Sequence, residues 1–169
     1  ALDLNQFKAL VSNKLSALPP QQFQALTLPQ WLSLSRNQIQ SLTLQQIQLL
    51  SPVQLAALPP TLWQAFSVEQ IHMLAPQSLA RIGVNQLNIV LKHLLPHQIQ
   101  ALDSATLLQL DVRQLATLTP MQWTALTPNQ IAAFSLGQLN ALTPIQLQGL
   151  NPNALTFLSG PQLAALSPS

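Results

Sequence analysis

The sequence contains no cysteine and no tyrosine. Without cysteine, neither disulfides nor a thiolate-metal site can hold the chain together. Charge is scarce as well: six Lys and Arg face four Asp and Glu, 6% of 169 residues, where about 25% is usual. A protein that neutralises nucleic-acid phosphates needs many cations. This chain cannot supply them, and its calculated pI of 9.7 rests on a surplus of two charges. The four glycines form no phosphate-cradling loop, and neither a nucleophile elbow nor an HExxH motif occurs. Gln, Ser, Thr or Pro interrupts every apolar stretch, so no run reaches the roughly 18 residues of a membrane-spanning helix. The start, Ala1-Leu2-Asp3-Leu4, lacks the basic and apolar regions of a signal peptide. The end, Ser167-Pro168-Ser169, stops where another repeat would begin. Both ends lead us to expect a mature product or a fragment of a longer repetitive protein.

What the chain does have is an apolar fraction of 48%, too high for charge-driven disorder, arranged in a strict repeat. Thr119-Pro120-Met121-Gln122-Trp123-Thr124-Ala125-Leu126 is followed by Thr127-Pro128-Asn129-Gln130-Ile131-Ala132-Ala133-Phe134. Eleven such octapeptides run from Asp3 to Val90 and nine from Leu95 to Leu166, separated by the four residues Leu91-Lys92-His93-Leu94. Position 5 is Leu, Ile, Phe or Trp in all twenty, and position 8 is Leu, Ile, Val or Phe. Position 4 is Gln in fifteen, position 1 is Ser, Thr, Asp or Asn in fourteen, and position 2 is Pro in nine. Position 7 is usually small.

Each octapeptide reads as a helix start followed by two turns. A hydroxyl or carboxylate at position 1 can accept from the first free backbone N–H groups of a helix. Pro at position 2 has its φ already set and lacks only an N–H that would go unused. Gln at position 4 is the N3 residue of a capping box and reaches back to the N-cap amide. Positions 5 and 8 share one helical face. One continuous helix is excluded, because the apolar stripe would rotate by about 80° per octapeptide and the prolines would break it. A β-solenoid would require period-two alternation, and a coiled coil would require sevens. The fold class predicted is therefore all-α: a solenoid of about twenty very short helices, with one insertion at 91–94 lengthening a helix over Asn85–Leu94. Helices this short are unstable alone, so positions 5 and 8 must form one shared core. Three or four helices per superhelical turn are both compatible with the pattern, and blocks 3–90 and 95–166 are expected to form one continuous domain.

Ionisable side chains concentrate in the middle of the chain, and residues 114–169 contain none. Glu69, His72, Arg81, Lys92, His93, His97 and Arg113 are the candidate interaction stretch. The plainer reading of these residues is solvated surface on degenerate units. The insertion is open to two readings as well, a bend or ridge that meets a partner and a tolerated duplication. Asp103 and Asp111 fall at position 1 and are expected to be caps. His93 and His97 are four apart, a metal-ligand spacing, but Pro96 between them ends the helix. No metal, cofactor or catalytic residue is predicted. Trp31, Trp63 and Trp123 occupy position 5 and belong to the core. Arg81 stands at the usually small position 7 and should extend outward along its apolar stem. The Gln row invites two readings, local capping and a ladder of stacked amides.

Ser51-Pro52-Val53-Gln54-Leu55-Ala56-Ala57-Leu58 and the unit at Thr127 resemble the Ser/Thr-x-x-Gln-Ile/Leu-x-Ala-Leu octapeptide tracts of very large bacterial secreted and surface proteins, including RTX-type exoproteins. The resemblance covers practically the whole chain. It implies an extracellular or cell-surface structural or adhesive role and assigns no site residues. The same units look like the first helix of TAL-effector repeats, but the second helix, the basic residues and the base-reading loop are missing. Two expectations follow. One is a non-enzymatic spacer or adhesive module that self-associates, since little charge opposes association. The other is a protein- or peptide-binding solenoid of a translocated effector that uses the charged central stretch.

Overall fold

The structure, a computed structural model, describes residues 4–8 and 12–166. Asp3, Leu10, the side chain of Gln6 and the terminal Ser167-Pro168-Ser169 lie outside the described residues. Among those described, the chain folds into twenty α-helices of four to seven residues and one 3-10 turn, with no strand. The helices follow the octapeptides one for one. Ser35, Thr43, Ser51, Ser67, Asp111, Thr119, Thr127, Ser135 and Thr143 each accept from the amide of the Gln three residues on, whose side chain accepts in return from the N-cap amide. The reciprocal pair satisfies two donors that so short a helix would otherwise leave free. Each helix then stops because the next Ser/Thr must be extended, as Ser67 (φ −72°, ψ 164°) and Thr127 (φ −72°, ψ 156°) are.

The chain divides into two compact units, residues 1–82 and 83–169. Within each, a helix packs on the third helix along. In the first unit Leu28–Leu32 lies on Pro52–Ala57, and Pro52–Ala57 on Pro76–Leu79. In the second, Pro96–Gln100 lies on Pro120–Ala125, and that helix on Pro144–Gln148. Columns therefore repeat every 24 residues, or three octapeptides per superhelical turn. Position 5 points into this stack. Trp31, Ile39, Ile47, Leu55 and Trp63 are fully buried in the first unit, as are Leu87, Ile99, Leu107, Trp123 and Ile131 in the second. Edge-to-face aromatic pairs add to the core, Phe23 with Trp31 at 6.2 Å and Trp123 with Phe134 at 5.9 Å between ring centroids, a favoured geometry.

The expectation that every position 5 and 8 is buried fails at the two ends. Leu147, Leu155 and Leu163, position 5 of the last three octapeptides, are not buried. Leu18 and Leu26, position 8 of early octapeptides, are only half-buried. The reason is the three-helix turn: a position-5 side chain is covered by the octapeptides one superhelical turn further on, and for the last three no such octapeptides are among the described residues.

The insertion also differs from expectation. The longest α-helix is Val84–Val90, and the chain continues as a 3-10 turn over Leu91–His93 before Leu94 extends. Leu91 and Leu94 are both buried. They take the places of positions 5 and 8 in the register of the second block, so the four residues form the second half of an octapeptide without its cap.

Candidate functional site

The most organised chemistry in the molecule is the Gln at position 4. Its Oε1 accepts from the N-cap amide, as anticipated, but its Nε2 reaches much further. Gln46 Nε2 donates to the carbonyl of Leu15 at 2.9 Å, and Gln70 Nε2 to those of Ile39 and Leu42 at 3.1 and 2.9 Å. In the second unit Gln122 donates to Leu91 and Leu94 (2.9 and 2.7 Å) and Gln130 to Ile99 and Leu102 (both 2.9 Å). Gln138 reaches Leu110 at 2.7 Å by the same spacing. The partners lie 31 and 28 residues back, at positions 5 and 8 of the fourth preceding octapeptide. That helix ends where the third preceding helix begins, so the amide spans one superhelical turn and ties the start of one helix to the end of another. Helix C-termini carry unsatisfied carbonyls, and the amide has two donors to offer them. Ser78, which replaces Gln in its octapeptide, puts its hydroxyl on the equivalent carbonyl of Leu50 at 2.7 Å. The amide-ladder reading is thereby replaced: these amides bond to main-chain carbonyls, not to one another.

The latch explains Gln in place of Glu. Both can close a capping box, but Glu has no donor for the carbonyls. Gln38, Gln46, Gln70, Gln98, Gln122, Gln130, Gln138 and Gln146 are all buried, where an ionised carboxylate facing carbonyl oxygens would be costly.

The charged stretch has no comparable organisation. In the first unit Glu69 is exposed in the opening turn of Val68–Met73 and His72 is half-buried in its last turn. The Glu69 carboxyl is held below its ordinary pKa by a hydrogen bond from its own backbone amide, with a further one from Ser67 and attraction from His72. Arg81 is exposed, as its stem requires at a crowded position. In the second unit Lys92, His97 and Arg113 are exposed and His93 is half-buried. His93 closes the 3-10 turn while His97 lies in Pro96–Gln100, with Leu94 and Leu95 extended between them. The two imidazoles therefore do not share a helical face. Among the described residues no group of three His, Asp or Glu gathers as a metal site would need, and no helix is long and apolar enough to cross a membrane. Asp103 and Asp111 are caps, accepting from Ala105 at 3.3 Å and Gln114 at 2.8 Å. A groove of about 390 Å³ in the first unit is lined by Gln24, Leu26, Leu28, Leu49, Ser51, Val53 and Gln54. It carries no ionisable side chain and hence nothing for acid–base chemistry.

Neither a protein-family model, nor a curated protein, nor a solved structure matches this chain. Sequence reasoning found the capping role of Gln but missed its long-range role. The signal available was the complete absence of Glu from position 4, which a purely local cap would have admitted.

Proposed function

We propose that the chain is a non-enzymatic structural module, a self-associating spacer or adhesive tract of a larger secreted bacterial protein. The observation that supports this reading is the recurrence of one interaction unit in both halves of the chain. The position-4 amides of Gln46, Gln70, Gln122, Gln130 and Gln138 all reach main-chain carbonyls 28 to 31 residues back, while Leu62, Thr106 and Ala154 put no amide at that position. A repeat whose contacts reach only adjacent turns gains length by addition and keeps its internal environment unchanged. That is the property a spacer needs. Its surface carries few charges and is rich in Gln, Ser, Thr and Asn, which leaves little electrostatic opposition to contact with other copies.

The test is to remove one whole superhelical turn, residues 119–142, joining Leu118 to Thr143 in phase. Gln146 then stands where Gln122 stood, within reach of Leu91 and Leu94. The shortened chain is expected to keep its helical circular dichroism per residue, to unfold cooperatively, and to lose stability in proportion to the contacts removed. Collapse to an unfolded chain refutes the spacer reading. So does a bound partner that is lost when Glu69, Arg81, Lys92 and Arg113 are changed together to Ala in the full chain, an outcome that would assign a recognition module instead.

A further inference from the structure

Gln54 leaves its latch open, and a groove lies at the opening. It closes a capping box with Ser51 at 2.9 and 3.2 Å, yet its Nε2 donates to no carbonyl among the described residues. The register that ties Gln70 to Ile39 and Leu42 assigns it Phe23 and Leu26. The Leu26 carbonyl in turn accepts from no described donor. Gln46, Gln70 and Leu42 are buried, whereas Gln54 and Leu26 are only half-buried. Both line the groove of about 390 Å³, beside an apolar wall of Leu28, Leu49 and Val53. Leu49 departs from the repeat. It occupies position 7, where the flanking octapeptides carry Ser41 and Ala57, so part of the wall is a side chain larger than the pattern provides. The groove lies between consecutive superhelical turns. Further repeats at either end would not fill it, because the register assigns its two unpaired groups to each other.

We infer that this groove binds a short uncharged peptide segment, with one peptide group bridging the Gln54 amide and the Leu26 carbonyl and an apolar side chain against Leu28, Leu49 and Val53. The ligand class follows from what the two unpaired groups lack. Gln54 Nε2 needs an acceptor and Leu26 needs a donor, and a peptide group carries one of each. A carboxylate only accepts and an ammonium only donates, so either would leave one of the pair unsatisfied. No ionisable side chain lines the groove to balance such a charge, which makes burying one there costly. No aromatic ring lines it either, so a planar base has no face to stack on. Its volume falls within the range of about 300–1,000 Å³ usual for small-ligand sites, which are likewise apolar with a few placed polar groups. The inference goes beyond the spacer reading and does not depend on it: it needs only the fold, and it gives one turn of the tract a recognition role apart from the charged stretch.

The test is a titration of the full nitrogen-15-labelled chain with N-acetyl-leucine N-methylamide, an uncharged probe with two peptide groups, followed by NMR. Saturable shifts are expected in the Gln54 side-chain amide, in the backbone amides around Leu26, Leu28 and Val53, and in the indole of Trp31, whose N–H donates to the Gln54 carbonyl at 2.8 Å. Gln54→Glu keeps the capping acceptor and loses the donor, so binding is expected to weaken by about tenfold or more at neutral pH. Val53→Ala trims the wall at a residue that is 61% exposed, so it weakens binding without endangering the fold. Gln109→Glu adds the same charge at an exposed position in the second unit and leaves binding unchanged. Absence of saturable shifts at the groove overturns the inference, as does a Gln54→Glu variant, folded by circular dichroism, that binds as well as the unaltered chain. An equal or tighter response to N-acetyl-leucine carboxylate or to maltose overturns the ligand class. None of these outcomes bears on the spacer reading, whose test is the deletion of a turn.

Discussion

Replacing Gln130 with Glu tests the latch at a deeply buried point where both donated bonds are short. Gln130 is 2% exposed. Its Oε1 accepts from Thr127 N–H at 2.9 Å, and its Nε2 donates to Ile99 and Leu102 carbonyls at 2.9 Å each. A glutamate keeps the capping acceptor and the shape of the side chain. It loses both donated bonds, worth about 1 kcal/mol each, and sets an unpaired carboxylate against two carbonyl oxygens. Leaving a charge buried without a partner costs about 3–5 kcal/mol, so Gln130→Glu is expected to destabilise by at least about 3 kcal/mol at neutral pH. With a urea dependence of about 2 kcal/mol per molar, the unfolding midpoint by circular dichroism falls by roughly 1.5 M or more. The penalty depends on pH in a defined direction. Burial and the facing carbonyls raise the folded-state pKa of the new carboxyl above the unfolded value of about 4.3. The variant therefore recovers stability as pH falls toward the unfolded value, where the protonated carboxyl can donate to a carbonyl, and is least stable above the folded pKa. Gln22→Glu is the control. Gln22 is exposed and follows Pro19, which has no N–H to cap with, so the change is expected to stay within about 0.5 kcal/mol. Equal effects at the two positions, or a Gln130→Glu penalty that does not vary with pH, would refute the latch.

Three further outcomes are expected from urea unfolding. Trp31→Phe should cost about 1 kcal/mol more than Trp123→Phe, since the Trp31 indole donates to the Gln54 carbonyl at 2.8 Å while the buried Trp123 N–H finds no acceptor; equal losses would show that the bond contributes nothing. Ile131→Ala should cost about 2–5 kcal/mol and Leu163→Ala less than about 1 kcal/mol, because the first leaves a cavity in a closed core and the second trims an open end; a comparable loss at Leu163 would contradict its exposed position. Gly137→Ala should stabilise by about 0.4–1 kcal/mol, as the added methyl meets nothing within 4 Å inside the helix Leu136–Asn140; destabilisation would mean that the site is more crowded than the structure shows.

Much of the fold was legible because its determinants are local and recur in phase. A cap at Thr127, a proline at 128, a glutamine at 130 and an apolar pair at 131 and 134 specify where a helix begins, which face it buries and where it must stop, whatever surrounds it. The charged residues were legible as a list and carried no further, since seven ionisable groups scattered over degenerate octapeptides share no local rule. The resemblance to secreted octapeptide tracts pointed to a role in the same way, through composition and spacing and without a site.

Other properties depend on which octapeptides come to lie against one another, and an eight-residue pattern is silent about that. Three helices per superhelical turn follow from how the short helices pack, and only that number places Gln130 against the ends of residues 99–102. The insertion looked like an added stretch of helix; packing makes Leu91 and Leu94 a half-octapeptide whose carbonyls serve Gln122. Leu155 and Leu163 obey the same pattern as Ile131 and are nonetheless wet, because burial belongs to the neighbour one turn away and not to the residue. Helix starts and stops are short-range steric and hydrogen-bonding events that the chain encodes residue by residue. Coverage of the core and the second bond of each glutamine are properties of the stacked turns.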